Sequence, residues 1–210
     1  MISHHPSPET LLAHATGALA AGHAVVVAAH LQGCAQCEAA QTRMESLGGA
    51  LLEEFAPEPL ADEAFAQVLA RLDDPAPAPT ASPRQARLAL PSGVSLPAVL
   101  RGAEIGRWLW IGLGLRYSRV RLPWAPEQNV MLLKVAGGRK VLHHSHGGLE
   151  LTQVIWGGFH DITGQYGPGD IGEADETTEH QPVADPEGCI CLASLEGGLR
   201  LPWFTRLFGG

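Results

Sequence analysis

A run of histidines and one acid in the second half of the chain has the composition of a metal site. Its candidate ligands are His144, His146, Glu150 and, later in the chain, His180. Residues two apart on a β-strand face the same way, so the first two histidines would point together into a barrel while His143 points out. Three imidazoles and a carboxylate suit a first-row transition metal. A surface histidine cluster is the alternative, and the framing Gly138 and Gly157 favour the built site.

A second group of possible ligands lies near the N-terminus. His30, Cys34 and Cys37 have the spacing i, i+4 and i+7, which places them on one side of a helix or across a tight helix junction. Two thiolates and one imidazole are three of the four ligands of a tetrahedral structural zinc. His4 and His5 are the best sources of the fourth ligand, because the helix that follows them can fold back.

The same cysteine spacing also occurs in thioredoxin-like redox motifs. Such a motif follows a β-strand and opens a βα unit, whereas the surroundings here are predicted to be helical. His14 and His23 are poorer candidates for the fourth ligand, since they fall in mid-helix and in a turn. The pattern therefore favours zinc over a redox pair.

The segment before residue 75 is predicted to form four helices. Ser7 supplies an N-cap, followed by Pro8 in the first turn and Glu9 near the positive end of the helix dipole. Apolar residues at helical spacing predict helices at about 8–21, at about 24–31, in a stretch that stops at Pro57, and around 65–72. A segment this small and alanine-rich has little core, so we expect a structural metal to stabilise it.

The net charge of −8 is concentrated in the first third of the chain. Residues 1–74 contain ten acidic and two basic side chains, and the remainder contains twelve of each. Contacts with phosphates need Lys and Arg, so this charge argues against direct binding of nucleic acid by the first segment. A basic protein surface is the partner that the charge fits.

A proline- and alanine-rich run divides the chain in two. It extends from Asp73 to Pro83 and has the composition of an extended, semi-rigid linker. Beyond it, short β-rich segments punctuated by Gly and Pro are predicted at 107–112, 118–122, 130–135, 138–144, 149–156 and 189–194. The predicted architecture is a helical domain at 1–74, a linker at 75–88 and an antiparallel β-barrel domain at 89–210.

The two ligand groups, in this order, resemble those of the ChrR-type anti-sigma factors of bacteria, and the resemblance covers nearly the whole chain. It implies a multidomain α + β fold, in which a zinc-binding four-helix anti-sigma domain precedes a C-terminal cupin (jelly-roll) barrel. It implies one zinc at His5, His30, Cys34 and Cys37, and a second metal at His144, His146, Glu150 and His180. It also implies that the first domain sequesters one extracytoplasmic-function sigma factor and that the cupin responds to oxidative signals such as singlet oxygen.

The second half departs from the general cupin pattern, which places a histidine three residues after Pro-x-Gly. The nearest match is Gly167-Pro168-Gly169-Asp170, and His180 follows ten residues after that aspartate. His160 is therefore a rival for the fourth ligand. Cys189 and Cys191 share one face of a predicted strand, where a packing role and a redox-sensing role both remain open.

Two functional classes fit these observations. The leading prediction is a regulator and not an enzyme: a cytoplasmic anti-sigma factor with two zinc ions per chain and no apolar run long enough to span a bilayer. The alternative is a metal-dependent cupin enzyme, such as a dioxygenase or a thiol oxidase, with an N-terminal docking domain. Metal storage is a third, less specific option. Four protein ligands would fill a tetrahedral zinc shell, which favours a catalytically silent barrel.

Overall fold

The N-terminal part of the protein is helical, and the helix ends follow from the sequence. The computed structural model describes residues 2–75, 84–197 and 199–200, without the side chains of residues 146, 199 and 200. The helices are α1 (Pro8–Ala15), α2 (Ala21–Leu31), α3 (Ala35–Glu53) and α4 (Ala64–Ala70). Helix α1 begins as predicted, with the Ser7 hydroxyl accepting a hydrogen bond from the Thr10 N–H at 3.1 Å. It ends earlier than predicted, because Gly17 adopts a left-handed φ of 71°.

The remainder of the described chain is mainly antiparallel β-structure, entered through a 3₁₀ helix at Ala98–Gly102. The strands are β1 (Glu104–Ile105), β2 (Leu109–Gly112), β3 (Leu115–Leu122), β4 (Ala125–Val135), β5 (Ser145–His146), β6 (Glu150–His160), β7 (Gln165–Tyr166), β8 (Ile171–Ala174), β9 (Val183–Leu195) and β10 (Leu199–Arg200). The main sheet has the order β1-β3-β4-β9-β6-β7, with β2 on β3 and β8 on β6. Strands β5 and β10 form a separate pair. Among the described residues, the main sheet does not close into a continuous barrel.

The predicted strand at 138–144 is wrong. Gly138 has a φ of 67°, and the Arg139 N–H bonds back to the carbonyl of Ala136, so the chain turns directly after β4. The segment then makes only isolated bridges, including one between His144 and His180. The other five predicted strands overlap observed ones.

The two faces of the main sheet have different surroundings. Val120, Leu132 and Leu192 lie on one face and belong to a hydrophobic cluster that includes residues of α2. On the other face, Val135 and Cys191 belong to a second cluster, which borders a partly open cavity. The alternation along each strand therefore divides the interior into a helix-covered layer and a cavity layer.

Helix α2 joins the helical part to the sheet. Its sequence AGHAVVVAAHL is apolar on nearly every side, which is typical of a buried helix. Val26 and Val27 are completely buried, and a Cβ on Gly22 would lie 2.6 Å from the Ser194 hydroxyl of β9. The two parts thus share a core. The domain boundaries stay a prediction, and residues 76–83 of the predicted linker lie outside the described residues.

None of the described helices combines the length and the hydrophobicity that a membrane crossing requires.

Candidate metal centres

Four side chains from three segments converge near the N-terminus. His5 precedes α1, His30 lies in the last turn of α2, and Cys34 and Cys37 stand at the start of α3. One ligand atom from each residue lies within 4.8 Å of all the others. His5 Nδ1 is 3.4 Å from Cys34 Sγ and 3.3 Å from Cys37 Sγ. His30 Nε2 is 3.4 Å from Cys37 Sγ. We call these four residues the Cys/His cluster; spacing predicted His30, Cys34 and Cys37 and left His4 and His5 open, and the family resemblance implied His5.

The β-structure orients the His30 ring. Its Nδ1 lies 2.8 Å from the Gly169 carbonyl oxygen, to which it donates, so the Nε2 lone pair faces the cysteines. Burial lowers the pKa of His30, which favours the neutral imidazole that a metal requires. Gly169 reaches this position with a φ of 91°, where a Cβ would lie 2.7 Å from the Ile2 side chain. A glycine is therefore required at this contact.

Asp170 holds the backbone so that the adjacent side chains of His4 and His5 point to different places. Its carboxylate accepts hydrogen bonds from the backbone N–H of Ser3 at 2.6 Å and of His4 at 3.0 Å. Burial disfavours the charged form, but the backbone N–H donors and the His4 ring outweigh it and lower the pKa of Asp170 to about 2. The anchored backbone packs His4 against Tyr166, with ring centroids 4.3 Å apart, and leaves His5 facing the cysteines.

The donor chemistry of the Cys/His cluster fits a divalent metal. Burial and the neighbouring Cys34 thiol raise the pKa of Cys37 to about 12, so two bare thiolates at this point would be unfavourable. A bound cation offsets that repulsion and displaces the thiol protons. Two thiolates and two neutral imidazoles are a donor set that tetrahedral Zn²⁺ takes. The cysteine pair follows helix α2 and not a strand, unlike the thioredoxin arrangement.

A second group of ligands lies within the β-structure. His144, Glu150 and His180 are all buried, and each places one ligand atom within 4.8 Å of the others. The backbones of the two histidines exchange two hydrogen bonds of 3.2 Å, and their Nε2 atoms are 3.2 Å apart. We call these three residues the His/Glu cluster. The predicted fourth ligand, His146, has its backbone in β5 and its side chain outside the described atoms, so its role stays a prediction.

Both imidazoles of the His/Glu cluster are oriented through their other ring nitrogen. His144 Nδ1 donates to the Leu142 carbonyl oxygen at 2.6 Å, and His180 Nδ1 donates to Asp161 Oδ2 at 2.8 Å. These bonds turn both Nε2 atoms toward one point, the orientation that a shared cation needs. The geometry and the carboxylate of Glu150 therefore fit a transition metal.

Asp161 is a residue that sequence reasoning missed. Its side chain is 2% exposed, and Oδ1 accepts hydrogen bonds from the Thr163 N–H at 2.8 Å and hydroxyl at 2.5 Å. Burial opposes ionisation, but the hydrogen bonds from Thr163 and His180 lower the pKa of Asp161. No sequence signal marked this residue, because its partner is nineteen positions away.

The rival ligand His160 does not join the His/Glu cluster. Its side chain is 52% exposed at the end of β6, and its Nδ1 lies 3.7 Å from Asp185. His14 and His23 also have other partners, the Gln41 amide oxygen at 2.7 Å and the Leu149 carbonyl at 3.0 Å.

The cysteines of β9 lie in the wall of the cavity. Cys189 and Cys191 are buried free thiols. Their mutual hydrogen bond lowers the pKa of Cys189, whereas the same bond and burial raise the pKa of Cys191. Their position supports a packing role and leaves the redox-sensing hypothesis as a prediction.

A continuous series of contacts links the two clusters. The Thr163 hydroxyl lies 2.9 Å from the Tyr166 hydroxyl, and the Tyr166 ring packs on His4. Because Thr163 also binds Asp161, the series runs through His180, Asp161, Thr163, Tyr166, His4 and His5. We call it the contact series; it joins the cavity to the Cys/His cluster through neighbouring residues.

The chain is similar to known proteins in both sequence and structure. Residues 99–197 match the family model of the ChrR cupin-like domain. Anti-sigma-E factor ChrR from Cereibacter sphaeroides is 42% identical over 208 residues, which cover 97% of this chain and 94% of the relative. A chain in the crystal structure of Rhodobacter sphaeroides SigE in complex with the anti-sigma ChrR is 38% identical, with a TM-score of 0.75 over 93% of this chain and 100% of that one.

More distant structures carry no functional argument. An RmlC-like cupin protein from Ralstonia eutropha JMP134 is 14% identical, with a TM-score of 0.39 over 47% of this chain and 66% of that one.

The predicted order of a helical segment followed by an antiparallel cupin-like domain is confirmed by the near-full-length match. From the extent of that match and the cupin-like domain, we conclude that the chain belongs to the family of ChrR anti-sigma factors.

Proposed function

We propose that this protein is a cytoplasmic anti-sigma factor that sequesters one extracytoplasmic-function sigma factor through its helical N-terminal segment. The observation that carries this proposal is its near-full-length similarity to a chain in a crystal structure of a sigma factor with its anti-sigma partner. The family resemblance seen in the sequence implies the same function, which accounts for both parts of the chain.

Exposed apolar side chains at helical spacing on two helices support the proposal. One set is Leu47, Leu51, Leu52 and Phe55 on and just after α3, and the other is Phe65, Val68, Leu69 and Leu72 on and just after α4, with exposures from 47% to 73%. No residue of α4 is buried, and that helix is described throughout. Apolar surfaces of this kind mark sites of protein interaction. The acidic side chains of the same segment suit a partner with basic groups at the rim of the interface.

The proposal assigns a structural zinc to the Cys/His cluster. Its ligands would be His5, His30, Cys34 and Cys37, which come from the N-terminal segment, α2 and α3. A metal there would tie α3, in which Cys37 is the one buried residue, to the buried helix α2. Its role is to hold α3 in place, so that the exposed apolar side chains of α3 are presented to the sigma factor.

The proposal assigns a second zinc, in the resting protein, to His144, His146, Glu150 and His180. We propose that the cupin domain releases the sigma factor in response to oxidative signals such as singlet oxygen. The contact series supports this role, because a change at His180 or Asp161 has a packed path to His4 and His5. In this function the second metal is part of a sensor and is not required to turn over a substrate.

The test is co-purification with each extracytoplasmic-function sigma factor of the source organism, followed by measurement of the dissociation constant. Leu51→Asp combined with Phe55→Asp would bury two charges at the proposed interface and weaken binding by about 30-fold or more. Leu113→Asp is the matched control, because this leucine is 75% exposed on the β-structure. If no sigma factor binds the wild-type protein, the proposed function is wrong. Equal affinity of the double variant and the control for the sigma factor would show that the sigma factor binds at another surface.

A further inference from the structure

Helix α4 is a short amphipathic helix whose apolar side is uncovered. Phe65, Val68, Leu69 and Leu72 recur at i, i+3, i+4 and i+7, and no residue of α4 is buried. Isolated helices shorter than about 12–15 residues are marginal in water, and α4 has 7. The helix therefore needs a surface to pack against whenever no sigma factor supplies one.

The segment that contains α4 is strongly acidic. Residues 53–74 contain seven acidic side chains and one basic one, Arg71. The acids flank the helix, with Glu63 directly before it and Asp73 and Asp74 shortly after it. A surface that fits this segment would combine apolar side chains with several cations.

The first part of the β-structure carries the opposite charge. Residues 84–121 contain seven arginines, all of them exposed, and one acid, Glu104. Arg119 and Arg121 project from one face of β3, because residues two apart on a strand face the same way. That face is turned away from the α2 layer, and Glu127 of β4 is a further exposed acid in its neighbourhood. The charge of this part of the sheet remains clearly positive.

Apolar side chains lie beside these arginines. Tyr117 shares their face of β3, and its partner across β2 is Leu109, which is 43% exposed. Glu104 Oε2 lies 3.9 Å from an Arg121 nitrogen, and both side chains are largely open to solvent, so this pair leaves the guanidinium accessible. We call Leu109, Tyr117, Arg119 and Arg121 the arginine face. It has the combination of groups that the acidic amphipathic segment lacks.

The length of the chain allows α4 to reach the arginine face. The Arg84 carbonyl accepts a hydrogen bond from the Ile105 N–H at 3.0 Å, and Ile105 lies in β1, which pairs with β3. Ten positions (84 − 74) lead from Asp74 to Arg84. At about 3.3–3.6 Å per residue, such a chain spans at most roughly 35 Å. A tether this short gives the two surfaces a high effective concentration for each other.

We propose that, without a sigma factor, α4 docks on the arginine face of its own β-structure and that sigma-factor binding displaces it. The docking stands on the charges, the apolar side chains and the tether; the displacement rests on the proposed function. In the docked state the apolar side of α4 packs on Leu109 and Tyr117, while the flanking acids pair with Arg119 and Arg121. The docked fraction lowers the apparent affinity for the sigma factor, because only molecules with a free α4 are competent to bind.

Hydrogen exchange of the full-length protein, followed by mass spectrometry without a sigma factor, tests the docking. Peptides from 54–74 should exchange about fivefold or more faster in Arg119→Glu combined with Arg121→Glu than in the wild type. Arg139→Glu combined with Lys140→Glu is the matched control, because it makes the same change of charge at two exposed positions. The control should exchange like the wild type. Equal exchange of 54–74 in all three proteins would overturn the proposal.

A charge exchange distinguishes direct pairing from damage to the sheet. Asp73→Arg combined with Asp74→Arg should also speed the exchange of 54–74. Joining these two changes to the reversal of Arg119 and Arg121 should restore protection to within about twofold of the wild type, since contacting pairs are not additive. A joint variant without restored protection would refute the pairing.

A milder variant covers the case in which the reversal of Arg119 and Arg121 loses its thermal transition. Arg119→Gln combined with Arg121→Gln then replaces it, and 54–74 should again exchange faster than in the wild type. Unchanged exchange in this folded variant would overturn the proposal.

Protein concentration identifies which molecule supplies the arginine face. The short tether predicts that the protection of 54–74 stays constant between about 1 and 100 µM protein. Protection that increases with concentration would mean that α4 docks on a second copy of the chain, and it would overturn docking within one molecule.

Sigma-factor affinity, measured on the same variants, tests the displacement. Reversal of Arg119 and Arg121 should tighten sigma binding by the same factor of about five, because α4 is then free. Equal affinity in the wild type and the reversal variant would refute the displacement. A protein that protects 54–74 as expected but binds no sigma factor refutes the anti-sigma function and keeps the docking. A protein that binds its sigma factor without protecting 54–74 refutes the docking alone.

Discussion

The two ligand clusters are built in opposite ways. The Cys/His cluster joins the buried helix α2 to α3, and in α3, which is described throughout, Cys37 is the one buried residue. The His/Glu cluster is seated in β-structure whose backbone already pairs His144 with His180. The difference indicates that a metal at the first cluster would organise its surroundings, whereas a metal at the second would occupy a frame that the sheet supplies.

The first cluster also depends on the second half of the chain. The turn that carries Gly169 and Asp170 holds the His30 ring and the backbone of Ser3 and His4. By contrast, the orienting bonds of the His/Glu cluster come from Leu142 and Asp161, within the β-structure itself.

The largest expected effect comes from replacing one metal ligand in each cluster. Cys37→Ser should remove one zinc per chain, lower the helical circular-dichroism signal and abolish sigma binding, since small zinc sites depend on their metal to fold. His144→Ala should remove the other metal and leave the helices and sigma binding intact. Metal analysis, circular dichroism and a binding assay on both variants measure this. Loss of sigma binding in both variants to the same extent would contradict the distinction.

A smaller effect is expected at the residue that orients His180. Asp161→Asn should lower metal affinity at the His/Glu cluster by about 10- to 100-fold, because such outer carboxylates fix the tautomer and basicity of a ligand histidine. Competition with a chelator measures it, and the Cys/His cluster should keep its metal. Asp175→Asn is the control, since that exposed carboxylate also accepts hydrogen bonds from threonines but touches no ligand. Equal affinity in the two variants would mean that Asp161 does not act on the site.

The stabilisation that Asp170 gives by anchoring the N-terminus should depend on pH. Asp170→Asn should lower the free energy of unfolding by about 1–3 kcal/mol at neutral pH, because a buried carboxylate loses its charge while its donors remain. The folded pKa of about 2 lies below the unfolded value of about 3.9, so this stabilisation is complete above pH 4 and is lost as the pH falls toward 2.

Urea denaturation of the Asp170→Asn variant and the wild type, at intervals from pH 7 to 2.5, measures that difference. Protonation of metal ligands in acid affects both proteins and cancels in the comparison. Asp62→Asn, at an exposed position, is the control. A gap between wild type and variant that widens in acid would contradict the assignment.

The smallest effect tests the contact series. Tyr166→Phe removes the hydroxyl that meets Thr163 and keeps the ring against His4, so we expect a loss of stability of about 1 kcal/mol or less. Zinc affinity at the Cys/His cluster, measured with and without metal in the β-structure, should become less sensitive to the second metal. Tyr117→Phe, the other tyrosine of the chain, is the control. Unaltered sensitivity would show that the hydroxyl does not contribute to coupling.

The sequence predicted what local spacing determines. His30, Cys34 and Cys37 lie within one helix junction, so their convergence could be inferred from i, i+4 and i+7. The choice between His4 and His5 could not, because it depends on hydrogen bonds to Asp170 from 166 residues away. Spacing alone places both histidines equally near α1.

Other features escaped prediction for the same reason. Asp161 lies in a turn whose partner His180 is brought near only by the sheet, and no short-range pattern marks it. The shared core was not predicted, although the sequence carries a signal for it. Helix α2 is apolar on nearly every side, which is typical of a helix buried on several sides and not of one in a small isolated bundle. Helix ends and most strands follow from caps, glycines and alternation, whereas 138–144 turns away after Gly138.

The hydrogen bond from Ser3 to Asp170 spans 167 positions of the chain, and this has a consequence for protein synthesis. At ordinary translation rates, Asp170 leaves the ribosome roughly ten to thirty seconds after Ser3. During that interval the helices have emerged but lack the carboxylate and the Gly169 carbonyl that complete their anchorage. The N-terminal segment is therefore synthesised first, but its hydrogen bonds to Gly169 and Asp170 form late. A nascent chain cannot acquire its mature N-terminal arrangement until most of the cupin domain has been made.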